Sequence, residues 1–410
     1  MLKVFKSHKP AAPEIQASHD HKKSFLQRLL PQKDNSISLP AGFGLGFGLT
    51  VIGWGLFMTS CGTTLPPHIE YRRPDSTTVR RAELSNKLET YNFKIAQYPD
   101  SAALYMNRGD VLYELFRYSN ALDDFYKASQ LDLTLAKAYS ARARVLRVFG
   151  RYSEALALND KALGLDSSSS YIYSSHSRSL IDFKRFSEAL DDCDKAVALE
   201  PNSTPARYYR ALALLALERY PEALEDCDKA VSLDSNSFMA HNIRGVVLAG
   251  LKLYSEAIEE QNQAIRLAPD YAFAYSDRGW CLLDLGYSLL AIDDFTKSID
   301  LAPSGTNSCD IYAGRGFAYN RTGNYQNASS DYALAIQSDP LNSKEFSSGL
   351  HVNRGFALAN LWRYSGAHSY YSEAISEYER ALSIDPSNET AKSNLENLKS
   401  YYNYLQKRSR

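Results

Sequence analysis

The sequence predicts an all-α chain built as a helical-repeat solenoid, and three observations predict it. Alanine recurs every 34 residues at Ala121, Ala155, Ala189, Ala223, Ala257 and Ala291. A second small residue follows seven positions later, at Ala128, Ala162, Ala196, Ala230, Ala264 and Ser298, and leucine stands nine positions before, at Leu112, Leu146, Leu180, Leu214, Leu248 and Leu282. Within each period two amphipathic stretches of about 12 to 16 residues carry apolar side chains at three- and four-residue spacing, as in Leu112/Leu115/Phe116 and Ala121/Phe125/Ala128. Neither stretch can bury its apolar face alone, so the pairs must stack on one another.

Composition agrees. The 410 residues are 44% apolar and 23% charged with a net charge of −1, which argues against a disordered chain or a collagen. Near-neutrality removes the electrostatic reason to expect nucleic acid over the whole surface. The unusual number is 29 tyrosines, against only 21 glycines and 15 prolines. The repeat absorbs most of them, because large residues recur at its positions four, seventeen and twenty-four.

Taken in order, residues 1–38 form a leader with Lys3, Lys6, Lys9, Lys22, Lys23, Arg28 and Lys33, three prolines and no sustained periodicity, and are expected to be disordered. Residues 39–60 are an apolar signal or anchor segment. The run Leu39–Met58 is almost free of polar groups and just long enough to span a bilayer core, so a retained transmembrane helix and a cleaved secretory segment are both open. Cys61 follows directly after Thr59 and Ser60. A lone cysteine after small residues and an apolar run resembles the lipobox of bacterial lipoproteins, in which that cysteine is lipidated and becomes the first residue; Met58 stands where leucine is usual. Residues 61–78, with Pro66, Pro67 and Pro74, read as a tether. Residues 79–101 are expected to form an amino-terminal capping helix. Eight units then start at residues 102, 136, 170, 204, 238, 272, 309 and 348 and end at 386. Residues 387–410 supply a carboxy-terminal capping helix and a basic tail, with Ala391, Leu395, Leu398, Tyr402 and Leu405 along one side.

The 34-residue period, with its small residues at positions eight, twenty and twenty-seven, resembles the tetratricopeptide repeat family over about Ala102 to Asp385, and the layout resembles bacterial lipoproteins of that family. The resemblance implies a right-handed α-solenoid of about eight helix pairs. It also implies that ligands lie along an inner surface made by the first helices, at positions 2, 5, 6, 9, 12 and 13. Those positions carry Lys137, Arg144, Arg147 and Arg178 in units two and three. Units four to six carry Tyr208, Tyr209, Leu212, Leu215, Met239, Ile243, Val246, Phe273, Trp280 and Leu283, and Phe317 and Phe356 continue the row. Apolar side chains left open there would favour a peptide with an apolar centre, and the arginines an acidic end near unit two. Asp110 and Glu114 stand where they could neutralise Arg144 and Arg147. The lysine and asparagine set of the chaperone-tail clamp is missing, since unit one has Met106 and Asp110.

Position seven is basic in every unit: Arg108, Arg142, Arg210, Arg244, Arg278, Arg315 and Arg354, with His176 in unit three. Position twenty-three answers with Asp124, Asp192, Asp226, Glu260, Asp294 and Asp331, whereas Leu158 and Tyr370 interrupt the series. Matching signs predict ion pairs between the two helices of a unit.

In unit eight Tyr371/Ala374 recurs as Tyr378/Ala381, so seven extra residues are expected in the second helix. No H-E-x-x-H, C-x-x-C, serine elbow or phosphate loop occurs, so no metal or cofactor is expected and the chain reads as non-enzymatic. The expectation is a membrane-tethered protein-protein interaction scaffold that faces the periplasm, with a protein or peptide partner and neither nucleic acid nor a small-molecule substrate. The alternative is an assembly chaperone anchored as a single-pass membrane protein.

Overall fold

The structure, a computed structural model, describes residues 77–302, 309–338 and 344–408. All of them belong to the unit Phe47–Arg410. The leader, the apolar segment, Cys61 and the tether up to residue 76 lie outside the described residues. Among the described residues every regular element is a helix, in the order α1 Thr77–Gln97, α2 Ala102–Glu114, α3 Tyr118–Leu131, α4 Ala136–Val148, α5 Tyr152–Leu165, α6 Ser170–Asp182, α7 Phe186–Leu199, α8 Thr204–Ala216 and α9 Tyr220–Leu233. Next come α10 Phe238–Gly250, α11 Tyr254–Leu267, α12 Ala272–Asp284, α13 Ser288–Leu301, α14 Cys309–Arg321, α15 Tyr325–Ser338, α16 Lys344–Ser365, α17 His368–Ile384 and α18 Glu389–Arg408. Each helix packs on the next, and first helices of neighbouring units also touch, which is the contact pattern of an all-α helical-repeat solenoid.

The repeat positions explain why the pairs form. The alanines at positions twenty and twenty-seven are wholly buried, from Ala121 and Ala128 to Ala328 and Ala335. Position eight is small because a side chain of the second helix lies against it, a ring in units one, six, seven and eight and Gln261 in unit five. A Cβ on Gly109 would stand 2.5 Å from Phe125, and one on Gly355 would stand 2.8 Å from Tyr378. Ser169, Ser203 and Ser237 cap α6, α8 and α10 by accepting a backbone N–H three residues on.

In units one to seven each first helix is followed by one left-handed residue at position fifteen, and in unit eight by Gly366. Gly150, Gly286 and Gly323 take it without strain, whereas Phe116, Lys184, Glu218 and Lys252 adopt φ between 57° and 62°.

Unit eight departs from the expected layout. α16 runs 22 residues and α17 runs 17, against 13 and 14 in the other pairs. The wholly buried alanines are Ala374 and Ala381, and Ala367 is exposed at the start of α17. The extra residues therefore lie across the hairpin tip and lengthen both helices, rather than sitting in the second helix. Trp362, in the added turn, is buried and meets Tyr371, Tyr401 and Tyr402, so the extension builds the seat on which α18 rests.

Candidate functional site

Two sets of side chains recur along the array. The first is the basic series at position seven. Arg108 grips Asp124 with Nε and Nη2, both at 2.7 Å. Arg278 and Arg315 repeat the fork on Asp294 and Asp331, and Arg210 on Asp226. His176 takes the role through Nδ1 on Asp192; burial opposes its charging, but the Asp192 and Asp160 carboxylates hold it above the ordinary histidine range. In unit eight the acid is Glu377, which accepts from Arg354 at 2.9 Å and meets His351, so the apparent gap at Tyr370 closes once the hairpin extension is placed.

A second partner was not foreseen. The same cations reach back 16 residues to position twenty-five of the preceding unit, as in His176 to Asp160, Arg210 to Asp194, Arg278 to Asn262 and Arg315 to Thr296, where the separation is 19; Arg108 makes the equivalent reach to Asn92 on the capping helix α1. The sequence signal was present, since polar groups recur at that position. The series is thus a structural ladder that in most units ties the two helices of the unit together and to the helix pair before.

The second set is the first-helix row. Here the basic end changes character. Arg144 donates to Asp110 at 2.8 Å and lies 4.0 Å over Tyr113, while Arg147 donates to Asp182 at 2.5 Å. Arg178 is 1% exposed, with Asp182 at 3.6 Å. Of the four predicted cations only Lys137 is exposed, above Tyr171. The expectation of open basic groups near unit two is corrected, because carboxylates of the chain itself hold Arg144 and Arg147 and packing encloses Arg178.

The apolar part divides in two. Tyr208, Leu212, Leu215, Ile243, Val246 and Leu283 are buried, and the first five pack together with Leu180, Leu214 and Val247 in one cluster. Side chains at these positions from neighbouring first helices meet each other, which corrects the expectation that they stand open. Tyr209, Met239, Phe273, Trp280, Phe317 and Phe356 remain half-buried along the same row.

Sequence reading passed over two carboxylates among them: Asp277 at position six of unit six and Asp310 at position two of unit seven. Both occupy inner-surface positions, where a carboxylate stands out from the apolar side chains of the row. Asp277 accepts from Asn242 Nδ2 at 2.7 Å, and Asn242 also donates to the buried Gln261 at 2.9 Å. Among the described residues neither aspartate meets a lysine, arginine or histidine within ion-pair distance. Burial pushes the Asp277 carboxyl up to about 7, with Asp310 adding to the rise, and burial pushes Asp310 up to about 6.

The sign follows from linkage. A carboxyl whose folded pKa lies above its unfolded value binds its proton more tightly when folded, so stability falls as pH rises from about 4 towards 7. Asp277→Asn is expected to raise stability by about 1–3 kcal/mol at pH 8 and to leave it nearly unchanged at pH 4. Urea unfolding at the two pH values checks this, and an equal effect at both would mean that Asp277 stays ionised throughout.

Among the described residues no group of histidine, cysteine and acid suits a metal ion, and no helix is long and apolar enough to cross a membrane. Cys193, Cys227, Cys281 and Cys309 are buried thiols.

A fold of stacked helix pairs, with a cation–acid ladder behind a first-helix row, defines a class of helical-repeat protein. Tetratricopeptide repeat models match residues 175–238, and again 240–271 and 310–340, so the chain carries tetratricopeptide repeats. No curated protein matches it by sequence. Among solved structures, the APC/C hetero-tetramer Cut9-Hcn1 is similar with a TM-score of 0.63 at 16% identity over 80% of this chain, which spans 60% of the length of the matched one. IFIT1 is similar as a monomeric mutant with m7Gppp-AAAA, at a TM-score of 0.60, 16% identity and 78% of each chain. The human IFIT1 dimer with PPP-AAAA gives 0.58 at 17% identity, covering 78% of this chain and 79% of that one. At these identities the likeness is one of fold.

Proposed function

We propose that the chain is a non-enzymatic interaction scaffold whose first-helix row holds a protein segment with apolar side chains and at least one lysine or arginine. The observation that carries this reading is that Asp277 and Asp310 lie on the same first-helix row as half-buried Met239, Phe273 and Phe317 and have no cationic partner within ion-pair distance among the described residues. Half-buried carboxylates whose ionisation burial opposes favour an incoming cation, which would restore their ionised state. The same lining disfavours phosphate, so the RNA bound by IFIT1 is a poor guide to this partner. Tethering to a membrane, through an apolar segment at 39–60 and a lipidated Cys61 in a bacterial envelope, completes the proposal and rests on sequence alone.

The test is fluorescence anisotropy with two labelled amphipathic peptides that differ only in a central lysine or glutamate. The lysine peptide is expected to bind about tenfold more tightly, and Asp277→Lys with Asp310→Lys to reverse the preference while the circular dichroism stays unchanged. Equal binding of both peptides would refute the assignment. Tethering has its own readout: the mass of the mature chain, beginning either at an acylated Cys61 or at Met1.

A further inference from the structure

Unit two is the one place where the ladder has a cation and no acid. Position twenty-three is Leu158 instead of a carboxylate, and position twenty-five of unit one is Tyr126, where units two to six carry Asp160, Asp194, Asp228, Asn262 and Thr296. Arg142 is nevertheless retained. It donates through Nη1 to Ser129 Oγ at 3.2 Å, and its guanidinium carbon lies 4.9 Å from the centre of the Tyr126 ring. Its Nε is buried and has no hydrogen-bond partner, and among the described residues no carboxylate stands within ion-pair distance. In units one, four, six and seven the matching Nε donates to the acid of the second helix at 2.6 or 2.7 Å. In units five and eight the Nε of Arg244 and Arg354 likewise makes no hydrogen bond, but each of these arginines still reaches an acid through Nη1, so what sets Arg142 apart is the missing carboxylate.

A cavity of about 440 Å³ opens beside this guanidinium, between α3 and α5, and Leu122, Leu146 and Leu158 form its apolar wall. That volume lies in the lower part of the range for small-ligand sites. Two other charges on the lining cancel, since Arg151 grips both oxygens of Glu154 at 2.6 Å. Asp123 is exposed on the same lining and adds one negative charge. The charge left to attract a ligand is therefore that of Arg142, set against an acid that would repel a dianion.

We propose that this cavity binds a monocarboxylate with an apolar body, the carboxylate occupying the place of the missing ladder acid on Arg142 and the body resting on the leucine wall. Each part of the ligand answers a feature of the site. An unsatisfied buried N–H of a cation calls for a charged acceptor, and the fork geometry of arginine suits a carboxylate. Burial lowers the affinity of Arg142 for its proton, and an anionic ligand would relieve that penalty. The carboxylate can belong to a free acid or to the carboxy terminus of a peptide with a large apolar last residue.

The experiment follows the Nε–H resonance of Arg142 in the full-length chain labelled with ¹⁵N-arginine, assigned by its loss in Arg142→Gln. Hexanoate and 4-phenylbutyrate are titrated against hexanamide. A short peptide ending in leucine is compared as its free acid and as its amide. A saturable downfield shift with carboxylates and none with amides is expected, and the arm that saturates at lower concentration identifies the source. Leu158→Asp writes the missing acid into the chain; it should move the resonance to the bound position without ligand, raise the melting temperature and weaken carboxylate binding about tenfold or more. Should that variant misfold, Arg142→Gln gives the same loss of binding by calorimetry with helicity retained. Equal shifts with amides, no shift with any carboxylate, or unchanged binding in a folded Leu158→Asp or Arg142→Gln would each overturn the site.

Discussion

Asp226→Leu is expected to remove about 3–5 kcal/mol of stability from the middle of the array, the scale for stripping one partner from a buried ion pair. Asp226 is 1% exposed and accepts from three guanidinium nitrogens: Arg210 Nε at 2.6 Å, Arg210 Nη2 at 2.7 Å and Arg207 Nη1 at 2.9 Å. Losing it strands two cations. Arg210 keeps Asp194, but that carboxylate is more than half exposed and holds it weakly. Stacked repeats owe their cooperativity to the interfaces between neighbours, so a weakened unit four should uncouple the units on its two sides. Urea unfolding followed by circular dichroism should then show two transitions instead of one. The double variant Arg210→Met with Asp226→Leu should recover part of the loss, because replacing both partners removes the stranded charge as well as the pair. A control is Glu188→Ala, which deletes an exposed fork with Arg185 and should leave the midpoint unmoved.

The fold was legible because it is written by period. Small residues at positions eight, twenty and twenty-seven, and large ones at twenty-four, are demands of close helix packing that repeat until the pattern is unmistakable. The ladder was half legible: the pairing from position seven to twenty-three follows from sign, whereas the reach to position twenty-five depends on how units sit on each other. The hairpin of unit eight was misplaced because Tyr371/Ala374 and Tyr378/Ala381 fit the same template. Only the partners of Gly355 and Arg354, which are Tyr378 and Glu377, decide between the registers. Exposure along the first-helix row was the least legible property. Leu212 and Val246 occupy the same position as Trp280 and Phe317, yet the first two are buried and the last two half-buried. Leu212 and Val246 are packed into a cluster built from several first helices, a property of the neighbours that no single position encodes.

Trp362→Ala is expected to cost about 3–5 kcal/mol and to confine the damage to the carboxy-terminal end. The indole is 6% exposed, with ring centres of Tyr371, Tyr401 and Tyr402 at 5.2, 5.8 and 6.0 Å. Tyr371 and Tyr402 stack at 4.3 Å, and Leu398 is buried beside them. Removing the indole opens a void that these rings cannot fill, since each is fixed by its own contacts on α17 or α18. A central unit in that situation would still be clamped from both sides. Among the described residues unit eight has a full unit on its α15 side and the single helix α18 on the other, whose seat is the residue removed. Hydrogen exchange should therefore show lost protection across α16 to α18 with α2 to α11 unchanged. Trp362→Phe should restore most of it, because a smaller aromatic still covers Tyr402. Uniform loss of protection along the whole chain would mean that the cap is coupled to every unit, and that the hairpin extension stabilises the array as a whole rather than its last step.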